Sequence, residues 1–144
     1  MHAEVIDGTD FLKVEHIGIA VWSLEEGDRM YSQLLGIARY KVEEVATEGV
    51  VTAFYRLGET KIELLEPVRD DSAIARFLEK RGPGLHHIAY EVRDIRTAID
   101  RLREAGFEFT RDEPMPGADN KLVIFIHPKS AGGTLVELCQ EIQP

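Results

Sequence analysis

The sequence predicts an α+β protein built from two tandem copies of a β-α-β-β-β module. The first observation is that His16 and His87 each begin a β-type apolar run and lie 71 residues apart (87 − 16). The second is that Glu63 and Glu137 each lie inside an apolar run and are separated by 74 residues (137 − 63). Two pairs of matching residues at nearly the same offset indicate an internal duplication, with strand-like runs at equivalent places in both copies.

The 144 residues suit one domain that both copies share. We expect a polar N-terminal tail at 1–11, followed by a single domain at 12–144. Within that domain the first module covers about 12–67 and the second module covers 85–140. A helical connector at 68–84 joins the two modules.

The first module begins with a predicted strand from Phe11 to Trp22, because this stretch is rich in apolar and β-branched residues. Ser23 followed by Glu26 is the pattern of a capping box, which predicts the N-terminus of a helix. Apolar residues then recur at helical spacing until Gly36, a residue suited to ending the helix. Short turns separate the three strands that complete the module: 37–45, 50–57 and 60–66.

The connector has the apolar spacing of a helix and is stopped by the Gly-Pro-Gly sequence at 82–84. The second module repeats the order of the first, with a strand at 85–92 and then Asp94 as the helix N-cap. Gly106 is placed to end that helix. Turn and loop residues separate the remaining predicted strands: 107–111, 122–127 and 134–140.

The composition excludes some classes of function. A formal net charge of −9 and a pI near 5.0 disfavour nucleic acid or an anionic membrane surface as partners. No apolar run approaches the roughly 18 residues of a membrane-spanning helix. The single cysteine, Cys139, cannot form an intramolecular disulfide, and the N-terminal residues lack the pattern of a signal peptide. We therefore expect a cytoplasmic protein that binds neither nucleic acid nor membranes.

The repeated residues predict a metal site. Equivalent residues of two modules packed around a pseudo-twofold axis face each other, so His16, His87, Glu63 and Glu137 can converge. Imidazole and carboxylate ligands suit divalent ions such as zinc, cobalt, nickel or manganese, and two of each leave room for a substrate oxygen. A plainer interpretation stays open: strand histidines are commonly core or surface residues, and both glutamates could face water on an edge strand.

Five stretches carry a further signal: 16–21, 61–67, 71–78, 84–89 and 127–138. The more specific features among them are the helical insert, the His86-His87 pair and the His-Pro-Lys-Ser turn at 127–130. Together they resemble the vicinal oxygen chelate (glyoxalase-like) superfamily and, within it, the family of methylmalonyl-CoA epimerases. The resemblance covers nearly all of residues 14–140 and implies a fold in which paired modules surround a metal ion.

The resemblance implies that His16, Glu63, His87 and Glu137 bind a divalent metal ion, with cobalt favoured over manganese, nickel or zinc. It implies an isomerase that interconverts the (R) and (S) forms of methylmalonyl-CoA, removing and returning the α-proton through a metal-stabilised enolate. Glu137 would be one of the two proton carriers. His86 is expected to point to the opposite face of its strand, because neighbouring strand residues alternate, and to serve as a packing residue or as a supporting neighbour of the metal site.

The second proton carrier is where the sequence departs from the family pattern. The family usually has a Glu at the position of Thr47, whereas here Glu48 follows one residue later, before Gly49. A slip of one residue in a regular strand turns a side chain to the other face. Glu48 can therefore act only if the backbone shifts locally, for example through a bulge. Otherwise Glu48 is an exposed loop residue.

Lys129 and Ser130 lie in the turn before the last strand and are predicted to bind the substrate carboxylate or the CoA phosphates, unless this turn is simply solvated. The resemblance also implies an acyl-CoA substrate and a homodimer. Two alternatives remain, an isomerase similar to lactoylglutathione lyase and a non-catalytic ligand-binding module of the same fold. Because all four candidate metal ligands are present, the sequence favours an enzyme.

Overall fold

The structure is a computed structural model that describes residues 10–142. Most of the predicted tail, residues 1–9, lies outside the described residues, and Phe11 already belongs to the first strand. Between residues 10 and 142 the helices and strands are β1 (Phe11–Ala20), α1 (Leu24–Leu35), β2 (Lys41–Val45), β3 (Val50–Leu57), β4 (Thr60–Pro67), α2 (Ala73–Arg81), β5 (Gly84–Val92), α3 (Ile95–Glu104), β6 (Met115–Gly117), β7 (Lys121–Ile126) and β8 (Val136–Glu141). Short 3₁₀ turns precede and follow β7, at Ala118–Asn120 and Pro128–Ala131.

The eight strands form one mixed sheet in the order β2-β3-β4-β1-β5-β8-β7-β6. In each half the first strand runs parallel to the last, since β1 pairs with β4 and β5 pairs with β8. β1 and β5 pair antiparallel at the centre and join the two halves. The strand order is the same on both sides of this central pair, which confirms the predicted α+β fold of two β-α-β-β-β modules.

The helices begin at side-chain caps. Ser23 and Asp94, the two predicted N-caps, each accept a backbone N–H in the first turn of α1 and α3, and Ser72 does the same for α2. These contacts satisfy donors that the first turn of a helix leaves without a partner. Gly36 ends α1 in the left-handed conformation with φ of 72°, as its position predicts.

Some predicted boundaries were wrong. Residues 37–40 are not a strand, and β1 ends at Ala20. The strand predicted at 107–111 is reduced to one bridge between Phe109 and Ile126. β6 lies instead in the proline-containing segment that was predicted to be a loop. Pro116 can occupy β6 because this strand is at the edge of the sheet, where a missing N–H donor is tolerated.

The sheet has an outer face covered by helices and an inner face that carries the predicted ligands. α1 packs with Tyr55 and Leu64, and α3 packs with Ile124 and Leu138, all of them buried. The predicted ligands are next to two of these residues in the chain and therefore point to the other face. α2 packs on the inner face against Leu65, so it closes one end of the concave side. Within residues 10–142, none of the helices has the length and apolarity that crossing a membrane requires.

The two edges of the sheet are joined by Asp119, which lies in the 3₁₀ turn between β6 and β7. Its carboxylate pairs with Lys41 of β2 at 2.6 Å and with the buried Lys61 of β4. Its backbone N–H donates to Glu43 of β2 at 2.9 Å. Asp119 adopts a left-handed conformation with φ of 60°, which is uncommon outside glycine and which aspartate tolerates better than most residues. Ion pairs and a hydrogen bond thus join this loop of the second module to β2 and β4 of the first module.

Candidate metal centre and active site

His16, His87 and Glu137 meet at the centre of the inner face, each from one of three neighbouring strands, β1, β5 and β8. The Nε2 atom of His16 lies 3.0 Å from Nε2 of His87 and 3.1 Å from Oε1 of Glu137. Nε2 of His87 lies 2.9 Å from the same oxygen. All three side chains are buried, with 4–6% of their surface exposed. The structure therefore brings together three of the four predicted ligands.

Glu63, the fourth predicted ligand, approaches from β4 on the other side of His16. Its Oε2 lies 3.2 Å from Nδ1 of His16 and not beside the two Nε2 atoms. It nevertheless lines the same small cavity as the other three, a space of about 20 Å³ that Glu48 also lines. A space of this size holds roughly one water molecule or one ion.

The donor atoms fit a divalent metal ion. Two imidazole nitrogens and two carboxylates, all buried, surround the cavity, and the single cysteine of the chain, Cys139, is not among its lining residues. Mixed nitrogen and oxygen ligands of this kind suit borderline first-row ions. A buried cluster of carboxylates also needs compensating positive charge, which a divalent ion would supply.

Gly18 makes the approach of His87 possible. Gly18 faces His87 across the β1–β5 pair, and a Cβ atom added to Gly18 would lie 2.2 Å from Cε1 of His87 and 2.6 Å from its Nδ1. Real side chains do not approach so closely, so any larger residue at this position would push the imidazole away. The absence of a side chain at Gly18 therefore allows His87 to occupy its position in the site.

Two β-bulges alter which residues face the cavity. In the β1–β5 pairing Val14 faces Tyr90 and His16 faces Ala89, so Glu15 is an extra residue. An extra residue interrupts the alternation of side chains between the two faces of the strand. Glu15 and His16 are both buried, and Oε1 of Glu15 lies 2.6 Å from Nδ1 of His16.

The second bulge, in β5, corrects the prediction for His86. Gly18 faces His87 and Ile19 faces Leu85, which leaves His86 as the extra residue. The prediction that His86 points to the opposite face of its strand is wrong, because its Nδ1 lies 2.9 Å from Nδ1 of His87. The alternation of a regular strand does not hold at a bulge.

The carboxyl and imidazole groups of the cluster differ in how readily they ionise. Burial opposes ionisation of Glu137, but the charge and hydrogen bonds of His16 and the contact with His87 hold the pKa of this carboxyl well below its usual range. Burial likewise opposes a charge on His16, yet Glu63 and Glu137 raise its pKa well above the ordinary value. Burial raises the pKa of Glu63 to about 8. Without a metal ion, the cluster therefore pairs a protonated His16 with an ionised Glu137.

Glu48 lies in a turn at 46–49 and not in a strand, so the one-residue slip does not turn it away from the site. The N–H groups of Glu48 and Gly49 both donate to the carbonyl of Val45, at 3.1 and 2.9 Å. Glu48 lines the small cavity, whereas Thr47 is exposed. Burial, and after it the charge of Glu137, raises the pKa of Glu48 to about 7.

Arg69 anchors this turn. Its Nη1 donates to the carbonyl of Ala46 at 2.8 Å, and the N–H of the adjacent Val68 donates to the carbonyl of Gly49 at 2.8 Å. The segment after β4 thus holds both ends of the turn that carries Glu48. These contacts fix the backbone on both sides of Glu48.

Two larger spaces share lining residues with the small cavity, His87 among them. The central cavity, of about 330 Å³, is lined by Glu48, His86 and His87 together with the cations Arg69, Arg76 and Arg111. The outer groove, of about 600 Å³, runs between α2 and the start of β8 and shares Arg76 and both histidines with the central cavity. The remaining cations of the outer groove are Lys80 and Arg81.

Lys129 and Ser130 are not among the residues that line either space. Nζ of Lys129 lies 3.1 Å from Oε1 of Glu108, and Oγ of Ser130 accepts the backbone N–H of Glu108 at 3.0 Å. Their neighbours Pro128 and Gly133 do line the outer groove. A direct contact with substrate therefore stays a prediction for these two residues.

Sequence reasoning missed Glu15, Lys61 and Arg69. Lys61 is a lysine at the start of an apolar run, and this could have indicated a buried ion pair. Glu15 directly precedes a predicted ligand, but the alternation of a regular strand argues against a contact between neighbours. Nothing in the sequence indicates that Arg69 reaches back to the turn that carries Glu48.

Comparisons with known proteins agree with this architecture. A family profile described as the Glyoxalase/Bleomycin resistance protein/Dioxygenase superfamily matches residues 15–125. The chain is 45% identical over 130 residues to the ethylmalonyl-CoA/methylmalonyl-CoA epimerase of Cereibacter sphaeroides, an alignment that covers 89% of this chain and 97% of the relative.

Solved structures are similar over almost the whole chain. The crystal structure of methylmalonyl-CoA epimerase from Mycobacterium tuberculosis is 32% identical with a TM-score of 0.90, covering 99% of this chain and 94% of that one. A variant of the Streptomyces coelicolor methylmalonyl-CoA epimerase, in complex with 2-nitronate-propionyl-CoA, is 31% identical with a TM-score of 0.87. That similarity covers 93% of this chain and 99% of the other.

Proposed function

The chain belongs to the glyoxalase/bleomycin resistance protein/dioxygenase superfamily, and we propose that within it this protein is a methylmalonyl-CoA epimerase. The observation that carries the proposal is the small cavity, which is lined by the four predicted metal ligands: His16, Glu63, His87 and Glu137. A further carboxylate, Glu48, lines this cavity and also the central cavity, which is large enough for an acyl group. The relative from Cereibacter sphaeroides, which bears the epimerase name, supports the choice of substrate.

Inversion at a carbon atom requires a base that removes a proton on one side and an acid that returns a proton on the other. Glu48 and Glu137 come from different modules and line the same cavity. Their environments move their pKa values apart, since the pKa of Glu48 rises to about 7 and that of Glu137 falls well below its usual range. In the metal-free protein near neutral pH, one carboxyl can therefore hold a proton while the other is ionised, which suits an acid and base pair.

His16, Glu63, His87 and Glu137 would hold the divalent ion. When bound, the ion would supply a Lewis acid that polarises the thioester and carboxylate oxygens of the substrate. Glu137 contacts both histidines through Oε1 alone, so these contacts leave its other oxygen for proton transfer. The apolar side chains of Leu65 and Val123 also line the small cavity.

The larger spaces suit an acyl-CoA. Arg69, Arg76 and Arg111 surround the central cavity, where a substrate carboxylate can pair with a guanidinium group. Arg76, Lys80 and Arg81 are exposed along the outer groove, where they can meet the phosphates of CoA. A protein of net charge −9 thus offers a local cationic path to an anionic substrate.

Cobalt is the metal that we propose, with manganese, nickel and zinc as the other ions that this ligand set suits. We also propose a homodimer, in which exposed apolar side chains such as Trp22, Leu34 and Leu85, each more than half exposed, are available for burial. A cytoplasmic location is proposed because Cys139 is a lone, buried thiol that needs no oxidising compartment.

The proposal is tested with cobalt-loaded protein and (R)- or (S)-methylmalonyl-CoA in deuterium oxide. We expect the α-proton to exchange with solvent and each form to yield the other, as followed by mass spectrometry and chiral analysis. Chelator-treated protein is the control for the role of the metal. A folded, metal-loaded sample that leaves the α-proton in place, or that instead isomerises the hemithioacetal of glutathione and methylglyoxal, would overturn the assignment.

A further inference from the structure

We infer that Glu15 and His86 are positioning residues that turn the two metal-site histidines toward the ion. This inference rests on the proposal that His16, Glu63, His87 and Glu137 bind a divalent metal ion. Each positioning residue directly precedes one histidine, and each is the extra residue of a β-bulge in the β1–β5 pair. The bulges therefore give both histidines a neighbour on the same side of the strand.

The contact chemistry decides which nitrogen faces the cavity. A neutral imidazole has one N–H and one lone pair, and the hydrogen-bond partner of one nitrogen fixes the role of the other. Oε1 of Glu15 lies 2.6 Å from Nδ1 of His16, and Nδ1 of His86 lies 2.9 Å from Nδ1 of His87. When each partner accepts the Nδ1–H, both Nε2 lone pairs point to the place where the Nε2 atoms meet Glu137.

Glu15 is itself fixed in place. It is 1% exposed, and its second oxygen lies 2.5 Å from Nζ of the buried Lys61 and 3.7 Å from Nζ of Lys121. An ionised carboxylate accepts hydrogen bonds and donates none, so it imposes the donor role on Nδ1 of His16. The carboxylate cannot turn away without leaving a buried lysine with fewer partners.

His86 holds His87 in a different way. Its ring packs edge-on against Phe77 with a centroid distance of 4.9 Å, and it lies edge-on to His87 as well. A neutral imidazole can accept or donate at a given nitrogen, so His86 imposes the orientation of its neighbour less strictly than a carboxylate does. We therefore expect the Glu15 contact to have the larger effect on metal affinity.

The position of Glu63 strengthens the case for Glu15. Oε2 of Glu63 lies 3.2 Å from the same Nδ1 that Glu15 engages at 2.6 Å. As long as Glu15 accepts the hydrogen bond from the Nδ1–H of His16, Glu63 remains available as a ligand of the ion. Without Glu15, Glu63 can take over that hydrogen bond, and the ion then loses a carboxylate ligand.

The test compares Glu15→Gln and His86→Phe with the parent protein by cobalt titration and the visible spectrum of the cobalt-loaded protein. His86→Phe keeps the aromatic contact with Phe77 but removes the acceptor. We expect affinity to fall about 10–100-fold for Glu15→Gln and by less for His86→Phe, with altered cobalt bands in both, because partners behind a metal-bound histidine typically have effects of that size. Glu91→Gln is the matched control: the partly exposed Glu91 lies 3.9 Å from Lys121, which Glu15 also approaches, and its substitution should leave the spectrum unchanged.

A direct readout is the tautomer of both histidines, measured by long-range proton–nitrogen NMR on zinc-loaded, nitrogen-15-labelled protein. We expect Nδ1–H on His16 and His87 in the parent protein. Nε2–H on either histidine, or unchanged affinity and spectrum in both variants, overturns the inference. If the parent protein binds no divalent ion at all, the proposed metal site fails instead, so the two failures are distinguishable. Thermal unfolding of each variant separates loss of fold from loss of positioning.

Discussion

Nε2 of His16 lies 3.0 Å from Nε2 of His87, although the two residues belong to different modules. Two imidazole lone pairs repel each other at this distance unless a proton or a cation lies between them. Without a metal ion, protonated His16 supplies the proton between the two nitrogens. Its pKa is raised because the charges of Glu63 and Glu137 outweigh the effect of burial. A bound ion would have to displace that proton.

Metal binding should therefore release protons and become tighter as the pH rises. His16 has a raised pKa, so it holds a proton at neutral pH, and Glu63, with a pKa of about 8, holds another over part of this range. Both must lose their protons to bind an ion, which makes the apparent affinity increase between about pH 6 and about pH 8. Calorimetric cobalt titrations in buffers of different ionisation enthalpy measure the protons released. An affinity that is flat or falls over this range contradicts the prediction.

Gly18→Ala should impair the metal site without changing any ligand. The added Cβ would lie 2.2 Å from Cε1 of His87, so the imidazole must move. We expect cobalt affinity to fall by about 10–100-fold, the size of effect seen when a ligand is held less well. Gly27→Ala is the control for a tight methyl group elsewhere, since its Cβ would meet the side chains of Val21 at 3.1 Å and Leu64 at 3.2 Å and none of the predicted ligands. Equal cobalt affinity in Gly18→Ala and the parent protein would show that the close approach is unimportant.

Glu48→Gln should lose epimerisation and keep the metal. An amide of nearly the same shape cannot carry the proton, and the loss of one acid or base group typically lowers the rate by about 100-fold to 10,000-fold. Cobalt titration should give the affinity of the parent protein, because Glu48 is not one of the four proposed ligands. Glu44→Gln, an exposed glutamate on the adjacent strand, is the matched control. Turnover at the parent rate in Glu48→Gln removes this residue from the mechanism.

The same variant should alter how stability depends on pH in metal-free protein. Burial and the charge of Glu137 raise the pKa of Glu48 from 4.5 to about 7. Protonated Glu48 contributes to the stability of the folded protein. This contribution is complete below the pKa of the unfolded chain, 4.5, and is lost as the pH rises through the folded-state pKa of about 7. Glu48→Gln should match the parent below 4.5 and exceed it by about 1–3 kcal/mol above 7, as measured by urea unfolding with a chelator. A difference that does not change with pH argues against a buried, protonated Glu48.

Asp119→Asn should weaken the ion pairs that join the two edges of the sheet. The amide keeps the tolerance for a left-handed backbone but loses the charge that pairs with Lys41 and the buried Lys61. We expect a loss of about 1–3 kcal/mol in the free energy of unfolding, as for a buried charge that loses one of its partners. The exposed Asp112→Asn should change it by less than about 0.5 kcal/mol. Equal unfolding midpoints for the two variants contradict the prediction.

The sequence was sufficient for the module order and for the convergence of three predicted ligands, because duplication and alternation are periodic properties. His16 and His87 occupy equivalent strand positions in the two modules, and a pseudo-twofold arrangement is enough to bring them together. Glu137, the equivalent of Glu63, reaches the same place from β8. Helix starts at Ser23 and Asp94 were predicted for the same reason, since a cap depends on its immediate neighbours.

The errors lie where the backbone departs from that periodicity. The bulge at His86 reverses the expected direction of its side chain, and the turn at 46–49 makes strand register irrelevant to Glu48. β6 was missed because Pro116 argues against a strand, and only its place at the sheet edge permits one. Each of these depends on contacts between segments far apart in sequence, which a local pattern does not contain.

Each module contributes one histidine and one glutamate to the centre, so a bound ion would act as a cross-link between two halves of one chain. Its contribution to the free energy of unfolding would grow with the logarithm of the free metal concentration. The lifetime of the folded chain would then follow the metal supply of its surroundings. Metal starvation would lower the amount of this protein as well as its activity.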